Sequence, residues 1–145
     1  MILPGSKLYY KEKGLKYYGI PVAPGKRLTE GVVVATCEAA GMRAVCPGGS
    51  SCSYYSSRCD VVPIELSVKR EKGVECHYTT TMLGLSKKVC PEEKNPGSCK
   101  QLWGLFAYHK GFRGSAFGRI KGRSAQGHEY ISGKYNVYYA YCVKG

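Results

Sequence analysis

The sequence predicts a single α+β domain, rich in disulfides, with two short helices and a tyrosine-rich antiparallel sheet. Three observations carry this expectation. Eight cysteines stand in 145 residues, a capped helix follows an N-terminal hairpin, and the last residues alternate as a half-buried strand does. This length suits one hydrophobic core, so residues 1–145 are read as one domain.

The cysteines are Cys37, Cys46, Cys52, Cys59, Cys76, Cys90, Cys99 and Cys142. An even count this high is usual where thiols are oxidised. No C-x2-C pair occurs, and His77, His109 and His128 do not fall at zinc-finger spacing. The sequence therefore predicts four disulfides and a secreted, extracellular protein, with neither metal nor cofactor. Connectivity stays open, because eight cysteines allow about a hundred pairings. Cys46, Cys52 and Cys59 lie in a Gly/Ser/Tyr loop that favours local bridges. Cys142 must reach far back, and Cys37 is its most attractive partner, tying the last strand to the first helix. A closed loop near 100 residues is worth about 4–5 kcal/mol.

Along the chain, residues 7–22 read as a hairpin turning at Lys13-Gly14 and ended by Pro21 and Pro24-Gly25. Thr29 caps the clearest helix, Glu30 occupies its first turn, and Gly41 stands where a left-handed residue ends it. Val33, Thr36, Cys37 and Ala40 form its apolar face. Residues 42–60 read as loop. Asp60–Val68 reads as a strand, at an edge or with a bulge, because Pro63 removes a ladder donor. Thr81 opens a second helix to about Cys90, burying Met82, Leu85 and Val89. After the polar loop Pro91–Ser98, candidate strands are Leu102–Tyr108, with Trp103 in the core, and Ser115–Ile120. In the final strand Tyr135, Val137, Tyr139 and Tyr141 share one face, and Tyr138, Ala140 and Cys142 the other.

No apolar run reaches the roughly 20 residues of a membrane span. The opening Met1-Ile2-Leu3-Pro4-Gly5 turns polar too soon for a signal peptide. A secreted chain is therefore expected to have lost its signal.

Net charge is +12, with +4 in residues 1–30, +1 in 31–99 and +7 in 100–145. Such clustering predicts a basic face for an anionic partner.

The segments Tyr17-Tyr18-Gly19-Ile20-Pro21-Val22, Thr36-Cys37-Glu38-Ala39-Ala40-Gly41-Met42, Leu102-Trp103-Gly104-Leu105-Phe106-Ala107-Tyr108 and Tyr138-Tyr139-Ala140-Tyr141-Cys142 follow one pattern. It resembles an uncharacterised cysteine-rich module of multidomain extracellular proteins of marine invertebrates, found beside EGF-like, CUB and lectin modules. The resemblance covers about Tyr17 to Cys142 and implies no catalytic activity. The chain departs from that pattern where Ala116-Phe117-Gly118 and Arg123-Ser124 replace a cysteine pair. The layout of two helices, a late sheet and a terminal-strand cysteine is also similar to the C-type lectin-like fold. The Glu-Pro-Asn and Trp-Asn-Asp calcium and sugar motifs of such lectins are missing.

The strongest functional candidate runs from His109 to His128, with Lys110, Arg113, Arg119, Lys121 and Arg123 spaced by glycines and two phenylalanines. Guanidinium groups bind sulfate, phosphate or carboxylate through paired hydrogen bonds. The plainer alternative is a solvated basic loop. Lys7, Lys11, Lys13 and Lys16 extend the basic surface or, on the simpler reading, blunt an edge hairpin. The thirteen tyrosines offer stacking surfaces, though most belong in the sheet.

Hydrolase readings lack support, although small basic secreted proteins include lysozymes and ribonucleases. No acid pair stands in a diagnostic context, and nothing brings the three histidines together. Cys76-His77 would point to opposite faces of a strand. The expected role is non-catalytic binding of an acidic or sulfated polysaccharide or glycoconjugate. An adhesive matrix protein and a small hydrolase are the alternatives, and non-specific nucleic-acid binding follows from charge alone. Oligomeric state is not readable.

Overall fold

The computed structural model describes residues 5–12, 14–45, 82–94, 98–108, 116–121 and 123–145. The expected strand Asp60–Val68, the cap Thr81, the Cys76-His77 pair, and cysteines Cys46, Cys52, Cys59 and Cys76 lie outside these residues.

Strands β1 (Lys7–Glu12) and β2 (Leu15–Pro21) form the expected hairpin, with Leu15 opposite Glu12 and a bulge between Leu8 and Tyr10. Helix α1 (Glu30–Ala39) begins where its cap requires. The Thr29 side chain accepts a hydrogen bond from the Val32 amide at 3.1 Å, satisfying one of the helix's orphan donors. It ends at Gly41, whose φ of 74° suits a residue without Cβ. Val33, Cys37 and Ala40 are buried as the periodicity requires, but Val34 joins them while Thr36 is only half-buried. Arg43–Ala44, expected as loop, is a short strand β3.

Helix α2 (Met82–Val89) buries Leu85 and half-buries Val89. The polar loop after it is closed by Cys90–Cys99, with Cα atoms 5.7 Å apart. A 3-10 turn at Lys100–Leu102 precedes β4 (Leu105–Ala107), which is shorter than expected. Gly104, at φ 91°, interrupts the extended backbone and leaves Trp103 half-buried ahead of the strand rather than within the core. The hairpin β5 (Phe117–Ile120) and β6 (Arg123–Gln126), a 3-10 turn at Gly127–Glu129, and β7 (Tyr139–Lys144) complete the chain.

The sheet is built around β7. One of its edges pairs antiparallel with β2 from Lys16↔Lys144 to Pro21↔Tyr139. The other edge is shared: β4 lies parallel beside Tyr139 and Ala140, and β3 antiparallel beside Cys142 and Val143. The main order is β1-β2-β7-β4-β5-β6. The sheet is therefore mixed, not antiparallel. A parallel neighbour needs a long return, supplied here by the β5–β6 hairpin and the crossing segment 127–138.

Alternation along these strands divides the apolar residues between two cores. On one face Tyr18, Ile20, Phe106, Ala140 and Cys142 meet Val33, Val34, Cys37 and Ala40 of α1. On the other, Leu15, Tyr17, Leu105, Tyr141 and Val143 meet Leu85 of α2 and the Cys90–Cys99 loop. The first core is crosslinked by Cys37–Cys142, the expected pairing, with Cα atoms 5.4 Å apart.

The second core holds two tyrosine hydroxyls with a measurable consequence. The hydroxyls of Tyr9 and Tyr141 are buried without a hydrogen-bond partner among the described residues. Burial, then Tyr139, raises the Tyr9 pKa above its ordinary 10; burial, then Tyr17 and Tyr9, raises that of Tyr141. Unfolded tyrosines release protons near pH 10 while these two stay protonated in the fold. Their contribution is therefore complete below pH 10 and is lost as pH rises through the higher folded values. The thermal midpoint is expected to fall steadily above about pH 10, and Tyr9→Phe to fall less steeply. Identical slopes would remove this account.

Candidate functional site

The basic residues of the β5–β6 hairpin do not form one cluster. Residues directly opposite in an antiparallel pair share a face. The register Ile120↔Arg123 and Arg119↔Ser124 therefore puts Arg123 on the α1 side and Arg119 on the α2 side. Lys121 is exposed in the connecting turn. His128 lies exposed on the following 3-10 turn. Of the expected site residues, His109, Lys110 and Arg113 lie outside the described residues.

Arg123 is held on an aromatic stack. Its Nη2 donates to the Tyr130 hydroxyl at 3.2 Å. The Tyr130 ring packs 5.9 Å from fully buried Phe106 and edge-on to Tyr138 at 5.7 Å, and Tyr138 is edge-on to Phe106 at 5.6 Å. The Phe106 ring occupies the space that a side chain at Gly118 would fill.

Arg119 acts through its backbone as well as its charge. Its carbonyl accepts from the Gly104 amide at 2.7 Å, and the Gly104 carbonyl accepts from the Tyr139 amide at 2.8 Å. These bonds bring the hairpin turn and the starts of β4 and β7 to one end of the sheet. The Arg119 side chain is half-buried, and desolvation lowers its pKa below the ordinary guanidinium value. A guanidinium nevertheless stays charged at neutral pH.

Two segments joined by backbone bonds run from the Ala116 end of the β5–β6 hairpin toward the start of β7. Gly25 donates to the Ser132 carbonyl at 2.6 Å, Ser132 to Lys26 at 2.9 Å, and Leu28 to Tyr130 at 3.0 Å. Arg27 reaches back through Nη1 to the His128 carbonyl at 2.6 Å. The buried Ser132 hydroxyl donates to the Val22 carbonyl at 2.9 Å and accepts from the Tyr138 amide at 3.2 Å. Ser132 thereby pins the loop 133–137, on which Tyr135 is 90 % exposed. The Lys134 ammonium lies 5.4 Å from the Tyr135 ring centroid, within cation–π range. Ile131 and Val137, within a few residues along the chain, are also exposed.

The end of the sheet where β4 and β7 begin thus carries Lys121 and Arg123 at the hairpin turn and leads into the braced loop that bears Lys134 and the projecting Tyr135, whereas Arg27 lies toward the other end of the β5–β6 hairpin. Glu129 is the one acid in the last 46 residues. Guanidinium and ammonium groups bind sulfate or carboxylate, and an exposed ring offers an apolar face to a sugar. Among the described residues, no group of three or more His, Cys, Asp or Glu is placed to hold a metal ion.

Sequence reasoning missed Lys134 and Tyr135 as site residues, and the contact of Arg27 with His128. It put Tyr135 and Val137 in the last strand, whereas β7 begins only at Tyr139. The usable signal was Ser132-Gly133 with Asn136, residues that favour turns. Arg27 left no local signal, because it arrives through pairing with a segment about 100 residues away. Among the described residues, no helix is long and apolar enough to cross a membrane. Comparison with protein-family models, curated proteins and solved structures yields no match.

Proposed function

We propose that this protein is a secreted, non-catalytic binding module for acidic or sulfated glycans, held at the end of the sheet that carries Tyr135. The carrying observation is that Lys121 and Arg123 of the hairpin turn lie toward the end of the sheet where β7 begins, the end into which the loop bearing Lys134 and the 90 % exposed Tyr135 leads. Charges alone bind any polyanion, but a rigid aromatic among them adds a contact suited to sugar rings. The disulfides fit an oxidising compartment. The resemblance to an extracellular cysteine-rich module, and in layout to the C-type lectin-like fold, supports this reading and belongs to the proposal.

Two variants test it on a column of immobilised heparin and on one of chondroitin sulfate. The triple variant K121A/R123A/K134A is expected to elute at markedly lower salt on both. Tyr135→Ala keeps the charge and is expected to weaken binding about fivefold to tenfold, the scale of one lost stacking contact. Unchanged elution of both variants would reject the site. An effect of the triple variant alone would leave a polycationic surface without sugar selectivity.

A further inference from the structure

We infer a second polyanion-binding element, a lysine row built by strand register toward the other end of the sheet. Lys11 lies directly opposite Lys16, and Lys16 directly opposite Lys144. The row crosses β1, β2 and β7 on the α1 side, and all three side chains are exposed. Neighbouring strands lie about 4.8 Å apart, so the three charges form a line roughly 10 Å long across the strands.

Two physical points set this row apart from ordinary surface lysines. Like charges directly opposite one another destabilise a sheet, and this register creates two such pairs side by side. Glu12, next along β1, pairs with Leu15, one step out of the row. Edge protection explains Lys11 alone, because β1 is the edge of the sheet. Lys16 stands between β1 and β7, where no edge needs blunting, and Lys144 ends β7, one residue past the pairing with β3. A local rule broken without structural return is expected at functional sites.

The occupant that fits is a linear sulfated or carboxylated polysaccharide lying across the strands. The strand spacing is close to the length of one pyranose unit, so successive anionic sugars meet successive ammonium groups. Lysine serves as a point charge for such groups. Tracks for single-stranded nucleic acid add stacking aromatics, whereas Tyr18, the tyrosine next to Lys16 on this face, is buried. The disulfides also argue for a compartment where polysaccharide is the commoner polyanion. The ligand class is shared with the proposal above, but the residues and the end of the sheet are different.

The test is titration with a heparin octasaccharide, followed by calorimetry at several salt concentrations, on four proteins. They are the natural chain, K11A/K16A/K144A, the site variant K121A/R123A/K134A, and a charge-matched control, K87A/K94A/K100A. The row variant is expected to bind at least tenfold more weakly, its salt slope falling by about one per lost lysine. The control is expected to change less than threefold. A second readout is independent of binding: Lys16→Glu turns two repulsive pairs into attractive ones, so its thermal midpoint is expected to rise while its affinity falls. Row and control variants losing affinity equally would overturn the row as a site. Unchanged binding by the row variant would overturn it too, whatever the site variant does. A loss confined to single-stranded DNA of equal length would reject the polysaccharide as occupant. Failure of the site variant alone would reject the Tyr135 site and leave the row standing.

Discussion

Replacing Cys37 and Cys142 together by alanine is expected to lower stability by about 4 kcal/mol, within the range seen for native disulfides in small secreted domains. The bridge spans 105 residues and joins two fully buried positions, one on α1 and one on the central strand. In the chain-entropy account, opening so long a loop releases more disorder in the unfolded chain than opening a short one, by an amount that grows only with the logarithm of loop length. The Cys90–Cys99 bridge spans only nine residues, and its removal is expected to cost nearer 3 kcal/mol. For a domain of this size the first change lowers the thermal midpoint by roughly 10–15 °C. Urea unfolding of the two double variants gives the comparison. A smaller loss at 37/142 than at 90/99 would show that native-state packing, not chain entropy, governs these crosslinks.

Phe106→Ala is expected to cost about 3–5 kcal/mol, the usual range for deleting a buried aromatic. The ring is fully buried and touches neighbours that cannot easily close over its loss. Gly118 beneath it has no side chain to move, and Tyr130 and Tyr138 meet it edge-on or tilted. Those same tyrosines support Arg123 through the Tyr130 hydroxyl. Glycan affinity is therefore expected to fall along with stability. Phe106→Leu retains most of the volume and is expected to lose less than about 2 kcal/mol. Full affinity in a folded Phe106→Ala protein would detach the aromatic stack from the site.

Local chemistry explains why parts of this fold were legible. The cap at Thr29, the left-handed Gly41 and the alternation from Tyr138 to Cys142 depend on residues within a turn or a strand of one another. The Cys37–Cys142 pair followed from placing one cysteine on a helix face and the other on a strand face. What sequence could not show was pairing at long range. The parallel placement of β4 beside β7 depends on how a connection of about 30 residues returns across the α1 face. The basic segment was visible as composition, yet strand alternation sends Arg119 and Arg123 to opposite sides. For Lys11 and Lys16 the simpler sequence reading is edge protection, because only register reveals that Lys16 stands on an interior strand opposite Lys144.

The central claim, glycan binding at the Tyr135 end, is tested most directly by backbone amide shifts during titration with a sulfated tetrasaccharide at about 0.15 M salt, where exposed charges are partly screened. Saturable shifts centred on residues 119–123 and 130–137, lost in Tyr135→Ala, are the result expected. Small shifts spread over every exposed lysine, or a saturable set confined to the outer face of α1, would contradict the claim.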